Sequence, residues 1–344
     1  MSTSRPAARL QDVAKLAGVS AKTVSNVVND YIHVRAETRT RVQEAIDLLG
    51  YRPNVVARNL KSGRSGLIAL AVPELDAPYF AELAHHVVQA AMVRGWTVLV
   101  DETGQIQDRA LRARERTAVA GIRGQLIDGV ILNPLALDEA DVERYGSVPL
   151  VLLGERLGSH LADHIAIDNE AAAADVVRHL VATGRRRIAV VGAQPPPYGH
   201  SARLRLRGYQ TALVEAGIPY EPALVVPALD WRRAAGAAAA RQLLALPEPP
   251  DAIFGFNDVL ALGVLHGLTA AGVRVPDDVA VAGFDDIEES RYATPSLTTI
   301  APDKAAIASG AIDHLARRLE QGAGWTPEEI RVAYRLQVRK STGS

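Results

Sequence analysis

The 344-residue chain contains no cysteine, which excludes a disulfide framework, a thiolate nucleophile and a cysteine zinc site. No stretch approaches the roughly 20 apolar residues that a membrane span requires. Residues 1–9 are polar and lack the apolar core of a secretory signal, so a soluble, cytoplasmic protein with no membrane partner is expected. Neither a P-loop nor a G-x-G-x-x-G follows any strand pattern, so no nucleotide cofactor is expected. No serine sits in a G-x-S-x-G elbow: Gly199-His200-Ser201-Ala202-Arg203 fails at its last position. No catalytic residue is therefore assigned, and the chain is read as a protein that is not an enzyme.

An overall excess of basic charge is also missing, since the net charge is −1. The charge is uneven, however. Residues 1–64 hold 11 Lys and Arg against 5 Asp and Glu, net +6, leaving 27 against 34, net −7, for the rest. A basic head on an acidic body suits phosphate contact at one end and solubility at the other. With 48% hydrophobic residues, the body can bury a large core of two or three domains.

Residues 10–29, LQDVAKLAGVSAKTVSNVVN, carry two short helical patterns around a glycine. Val13, Leu16 and Ala17 recur at i, i+3 and i+4. Gly18 accepts the left-handed backbone that ends a helix. Ser20 suits the N-cap of the next one, whose Val24, Val27 and Val28 form the facing stripe. Ala21, Lys22, Ser25 and Asn26 occupy the opposite face, all small or hydrogen-bonding. An ordinary helical hairpin needs only the apolar stripes; the polar outer face and its basic surroundings point to a helix-turn-helix, one face packed and the other entering a major groove. A third helix is predicted over 37–49 from Val42, Ala45, Ile46 and Leu49, ended by Gly50. YRPNVVARNLKSGRSG follows: Pro53 suits a helix start, 55–61 makes about two turns, and the Ser/Gly run is a linker. Such a short helix folds only when something holds it, the alternative being a plain linker throughout.

From residue 67 strands alternate with helices. Apolar runs at 67–72, 96–100, 129–132, 150–153, 188–191, 252–256 and 279–284 read as buried strands, with helices at 80–94, 171–183, 203–216, 231–245 and 259–271 between them. Near-continuous apolar strands with helical crossovers imply parallel sheets covered on both faces, an α/β fold. Similar spacing in two successive blocks suggests two like-folded lobes, with a cleft lined by the residues that follow each strand. His160 and His164, with Asp163 between them, are read as solvated loop rather than metal ligands. Arg185, Arg186 and Arg187 are read as an exposed cap on a helix end.

DVAKLAGVSAKTVSNVVN, GYRPNVVARNLKSG, VPELDAPYFAEL, FNDVLALGVL and VAGFDDIEES…TPSLTTI, in that order, resemble the lactose-repressor family of bacterial transcription regulators, from about residue 10 to residue 341. The resemblance implies a three-helix helix-turn-helix headpiece (1–52), a hinge helix and linker (53–65) and a two-lobed periplasmic-binding-protein-like core (66–344). The first lobe is expected at about 66–165 and 297–325, the second at about 166–296 and 326–342. By position, Ser20, Ala21, Lys22 and Asn26 resemble the base- and phosphate-reading residues, with Thr23, Ser25 and Arg35 as phosphate contacts. Asn26 stands where the family more often has arginine. Asn54 and Ala57 match hinge residues that face the minor groove, and Leu60 the leucine that wedges into it. In the core, Arg205, Asn257 and Asp285 match effector-binding polar residues, Arg205 as a two-pronged donor, Asp285 as an acceptor and Asn257 as both. Trp231 matches the aromatic that stacks on the ligand, and Tyr79 and Phe80 cleft-mouth contacts. Where the family has a sugar-binding acid this chain has Gly154, with Glu155 beside it.

The expectation is a homodimeric repressor of carbohydrate-utilisation genes that binds near-palindromic operator DNA and answers to a small sugar-like effector. The alternative is a transport-type sugar-binding protein without DNA function.

Overall fold

A computed structural model describes residues 8–28, 31, 33–51, 64–120, 127–144, 149–154, 162–195 and 200–343. The chain divides into two compact units, Met1–Ser65 and Gly66–Ser344.

The first unit holds α1 (Leu10–Ala17), α2 (Ala21–Val28) and α3 (Ala36–Leu49). Gly18 ends α1 with φ +64°, its N–H donating to the Ala14 carbonyl. Ser20 Oγ accepts from the Thr23 N–H at 3.1 Å, satisfying one orphan donor of the α2 N-terminus. Val13, Ala14, Ala17, Val24, Val27, Val42 and Ala45 form the core. Leu16 is not part of it: it is 53% exposed and Ala14 takes its place. At 3.6 residues per turn, Leu16 lies about a quarter-turn away from the mean direction of Val13, Ala14 and Ala17. Leu49, in the last turn of α3, is likewise exposed.

The second unit is built on two six-stranded sheets. Its strands are β1 (Leu67–Val72), β2 (Thr97–Glu102), β3 (Gly129–Leu132), β4 (Leu150–Leu153), β5 (Asp163–Ala166), β6 (Ile188–Ala193), β7 (Val225–Pro227), β8 (Ala252–Gly255), β9 (Ala280–Phe284), β10 (Thr298–Pro302), β11 (Glu329–Arg331) and β12 (Tyr334–Gln337). Their orders are β11-β5-β4-β3-β1-β2 and β12-β10-β9-β8-β6-β7. All pairings are parallel except that of β12 with β10.

The helices are α4 (Pro78–Val93), α5 (Leu111–Val119), α6 (Glu139–Arg144), α7 (Asn169–Ala182), α8 (His200–Glu215), α9 (Arg233–Leu244), α10 (Asp258–Ala270), α11 (Glu288–Tyr292) and α12 (Lys304–Gln321). In the first lobe α4 and α12 cover one face, and α5 and α6 the other. In the second, α7 and α8 oppose α9 and α10. Coverage on both faces is why the central strands read as unbroken apolar runs.

The expected lobe boundaries need correction at the C-terminal end. Residues 297–302 do not join the first lobe, because β10 pairs with β9 in the second sheet (Thr298 opposite Ala282). Residues beyond 325 are not all in the second lobe, because β11 pairs with β5 (Ile330 opposite Ile165). The chain therefore passes between lobes three times, at about 167, 303 and 332.

The solvated-loop reading of 160–164 is also corrected. Asp163 and His164 lie in β5 and are buried, while His160 lies outside the described residues. Asp163 accepts from Trp325 Nε1 at 3.0 Å and from the Glu328 N–H at 2.9 Å, tying β5 to the segment after α12. The three arginines do more than cap a helix. Arg186 donates to the Val181 carbonyl at the end of α7, whereas Arg185 and Arg187 pin the loops at Asp251, Pro276 and Glu248.

Candidate functional site

The site lies where both sheets present their carboxyl ends, the position at which open parallel sheets bind ligands. A cavity of about 220 Å³ opens there. That is below the range of about 300–1,000 Å³ typical of pockets for drug-sized ligands, and suits a smaller molecule. Its walls include Tyr79 and Phe80 at the start of α4, Asn133 after β3, Arg205 on α8, Trp231 before α9, Asn257 after β8, and Phe284 and Asp285 at the end of β9.

All the described residues expected to bind an effector meet here: Tyr79, Phe80, Arg205, Trp231, Asn257 and Asp285. Glu155 lies outside the described residues. Gly154, beside it, lines the cavity with φ +84°, and a β-carbon there would come within 3.0 Å of Asn133 Nδ2. Asn133 thus fills the space that a side chain at 154 would take.

Arg205 is 7% exposed. Its Nε donates to Asn169 Oδ1 at 2.8 Å, its Nη1 to the Phe256 carbonyl, and its guanidinium lies 3.5 Å from the Phe284 ring centre. Its Nη2 is 4.0 Å from the Asp285 carboxylate. Arg205 and Asp285 therefore belong to one lobe and do not pair across the cleft. Asp285 has φ +118° and Asp286 φ +45°, a conformation costing of order 1–3 kcal/mol per non-glycine residue and concentrated at functional sites.

Asn257 also serves its own helix: its Oδ1 accepts the Leu260 N–H at 2.8 Å as the N-cap of α10, which fixes the side chain and leaves its amide N–H groups and one oxygen lone pair to face a ligand. Trp231 Nε1 donates to the Gly192 carbonyl at 3.1 Å, which orients the indole ring and leaves its face for stacking.

Burial pushes the Asp285 carboxyl up to about 7, against the opposing pull of Arg205. The folded chain thus keeps a proton that the unfolded chain releases at about pH 4. This group's contribution to stability falls as pH rises from about 4 to about 7, then levels off. Asp285→Asn is expected to raise stability relative to the native chain at pH 8 but not at pH 4, measured as the difference in urea midpoints. Asp258, itself pushed up to about 6 by burial, is one of the charges that raise Asp285, so the difference reads the coupled pair of carboxyls.

Several lining residues were missed from sequence: Asn133, Glu74, Gln105, Asn169, Ser201 and Arg232. Glu74, Gln105 and Asn133 each stand just beyond a strand end, so the strand-end rule already pointed to them. A wider groove of about 680 Å³ runs along α7 and α8. Two of its arginines are engaged with neighbouring acids, Arg207 with Glu170 at 3.0 Å and Arg331 with Asp168 at 2.9 Å, and Arg203 contacts His200 Nδ1 at 2.9 Å. The smaller cavity, with its buried convergent polar groups, is the better ligand site. Among the described residues, no three His, Asp or Glu side chains converge as a metal site requires.

In the first unit α2 directs Ala21 and Lys22 to solvent, with Thr23, Ser25 and Asn26 half-buried beside them. Ser20 and Arg35 are exposed at the starts of α2 and α3. The Ser20 hydroxyl is already engaged, both as cap and with Thr23 Oγ1 at 2.9 Å. Asn54, Ala57 and Leu60 lie outside the described residues.

One chain thus carries a helix-turn-helix bundle and a two-lobed ligand-binding core, the two parts of a ligand-responsive DNA-binding regulator. Comparison with known sequences agrees. The profile of bacterial regulatory proteins of the lacI family matches residues 9–54, and that of the periplasmic binding protein-like domain matches 177–342. Catabolite control protein A of Priestia megaterium is 32% identical over 97% of this chain and 98% of its own. The transcriptional repressor CytR of Escherichia coli K12 is 35% identical over 86% and 85%. The lac repressor dimer bound to operator and the anti-inducer ONPF superimposes with TM-score 0.83 at 32% identity, covering 98% and 99%. The regulator CelR in complex with cellobiose gives 0.71 at 33% identity, covering 98% and 100%. The chain belongs to the lacI family: it is a DNA-binding transcriptional regulator with a ligand-binding core. Among the described residues no helix is long and apolar enough to cross a membrane.

Proposed function

We propose that this chain is a homodimeric repressor of carbohydrate-utilisation genes, released from or driven onto a near-palindromic operator by a small sugar-like effector in the 220 Å³ cavity. The observation that carries the effector class is the buried set of Arg205, Asp285 and the Asn257 amide beside the faces of Trp231, Tyr79 and Phe80. Aromatic faces accept the C–H side of a sugar ring, while fixed donors and an acceptor take its hydroxyls. CelR, solved with cellobiose, shows that a relative of this architecture takes a sugar.

On the DNA side, Lys22 and Asn26 read base edges, while Ser20, Ala21, Thr23, Ser25 and Arg35 set the register against the backbone. Asn54 and Ala57 face the minor groove and Leu60 wedges into it where two hinges meet. The dimer's two-fold axis matches that of the operator. The effector shifts a population between lobe arrangements, and it does so only by its differential affinity for them. The protein works in the cytoplasm as a regulator and not as an enzyme, and the helix-turn-helix favours this reading over a transport-type binding protein.

The test is fluorescence anisotropy of the full chain on operator-like palindromic DNA, paired with thermal denaturation across a panel of sugars. Specific binding that weakens linearly with log salt is expected. Lys22→Ala should cost roughly 10- to 100-fold in specific affinity, in line with about 1–3 kcal/mol per base contact. One sugar should raise the melting temperature, because a ligand that binds only the folded state stabilises it. Equal affinity of native and Lys22→Ala chains for operator and random DNA would refute the DNA reading. A panel without any stabilising sugar would refute the effector class.

A further inference from the structure

Two charged clasps join the lobes, one lining the cavity and one beside the chain crossing at residue 303. At the mouth Arg232, the N-cap of α9 on the second lobe, reaches two acids that follow β1 on the first. Its Nη1 donates to Asp76 Oδ2 at 2.6 Å, and its Nη2 donates to Glu74 Oε1 at 3.0 Å. On the hinge side Glu82 of α4 binds in two directions. One oxygen accepts the Glu288 N–H of the second lobe at 3.0 Å, and the other accepts from Lys304, the buried first residue of α12. Lys304 Nζ also donates at 3.0 Å to the carbonyl of Asp286, the neighbour of the cavity's Asp285. The Asp286 side chain is held in turn by Arg339 at 2.5 Å and Arg291 at 3.4 Å.

The clasps place their acids on one lobe. Glu74, Asp76 and Glu82 are all on the first lobe. The second lobe supplies a guanidinium at the mouth and, at the hinge, a peptide N–H to Glu82 and a peptide carbonyl to Lys304. Opening the lobes would separate Arg232 from both first-lobe acids, leaving it Asp230 of its own lobe at 3.5 Å, and strip Lys304 of the Asp286 carbonyl. The mouth clasp is partly solvated and therefore sensitive to salt. The hinge clasp is more buried, where loss of one partner leaves a charge uncompensated.

We propose that these two clasps set the resting closure of the cleft, so that ionic strength governs lobe opening and the effector acts on a core its own charges hold shut. This regulation rests on reading the cavity as the effector site, but its test needs no effector. Because the chain has no cysteine, Ala140→Cys on α6 and Ala238→Cys on α9, both exposed, give one spin label per lobe. Full-length labelled chain is diluted into an excess of unlabelled chain, so that only distances within one chain are read by pulsed electron resonance.

With no sugar added, the native chain at low salt should give one short inter-lobe distance, and 1 M NaCl should add a longer one. Arg232→Gln should populate the long distance already at low salt, while Arg232→Lys, which keeps the charge, should stay short and become more salt-sensitive. Lys304→Met and Glu82→Gln should each lengthen the distance, with circular dichroism confirming the fold. Superimposable distributions for the native chain, Arg232→Gln and Glu82→Gln at every salt concentration would overturn the proposal. So would a long distance in the native chain at low salt. A sugar panel without a hit would refute the effector reading and leave these distances unchanged, so the two failures are distinguishable.

Discussion

Gly236→Ala is expected to lower the stability of the core by about 1–3 kcal/mol, the usual cost of forcing an extra carbon into a packed interior. The helices α9 and α10 cross at glycines, backbone against backbone. A β-carbon on Gly236 would come 2.1 Å from the Leu260 carbonyl oxygen, and one on Gly263 would come 2.1 Å from that of Arg233. Neither contact can be relieved by turning a side chain, so the helices must separate. The better helix propensity of alanine, worth about 1 kcal/mol, offsets only part of this. Gly310→Ala on α12 is the control. Its β-carbon would meet Ile165 Cδ1 at 3.4 Å, an ordinary contact, so the propensity gain should show as unchanged or raised stability. Urea denaturation checks both. The consequence extends to the cavity, because α9 begins after Arg232 and α10 after Asn257. Parting these helices moves both residues, so ligand binding should weaken in Gly236→Ala as well.

Arg205→Ala is expected to abolish the effector response while specific DNA binding persists. Removing the guanidinium deletes hydrogen bonds to Asn169 and Phe256 and takes away the cation nearest Asp285. Hydrogen bonds to charged groups contribute about 1.5–3 kcal/mol each, so losing one such ligand contact corresponds to roughly 10- to 150-fold in affinity. The named partners all lie in the second lobe, which confines the damage to the cavity. The check is a titration of the protein–operator complex with whichever sugar stabilises the native chain. Loss of operator binding in Arg205→Ala without added sugar would count against the assignment. The same substitution removes the larger of the two influences that lower the Asp285 carboxyl, the other being Lys304. Asp285 should then stay protonated to higher pH and accept hydroxyl donors less readily.

Much of the fold was legible because its long elements bury one face or two. The core strands β1, β3, β4, β6, β8 and β9 are continuous apolar runs, and they form within a residue or two of where hydropathy places them. The strands β5 (DHIA), β7 (VVP), β11 (EIR) and β12 (YRLQ) carry no unbroken apolar run of four, so their places were set by pairing partners distant in sequence. The helix α12 was readable in Ile307, Ala308, Ala311, Ile312 and Leu315 but was passed over. With it went Lys304, one half of the hinge clasp. Leu16 shows the opposite failure: its spacing matched a stripe, yet only the packing of three helices decided which way that stripe faced.

The cavity divides in the same way. Arg205, Trp231, Asn257 and Asp285 were named from their sequence blocks, and they meet. Their bonding was not readable, because it depends on atoms brought in by other segments: the Leu260 N–H that occupies Asn257 Oδ1, the Gly192 carbonyl that turns Trp231, the Phe256 carbonyl that holds Arg205. Sequence alone determined the alternation of strand and helix and the basic headpiece, which follow from composition and short-range periodicity, while the candidate polar set came from the resemblance of its sequence blocks to the family. Tertiary structure alone decided which strand completes which sheet, which carboxyls are buried, and that Arg232 and Lys304 reach across the lobes. Each of those depends on contacts between residues far apart in the chain, and no local pattern encodes the distance between them.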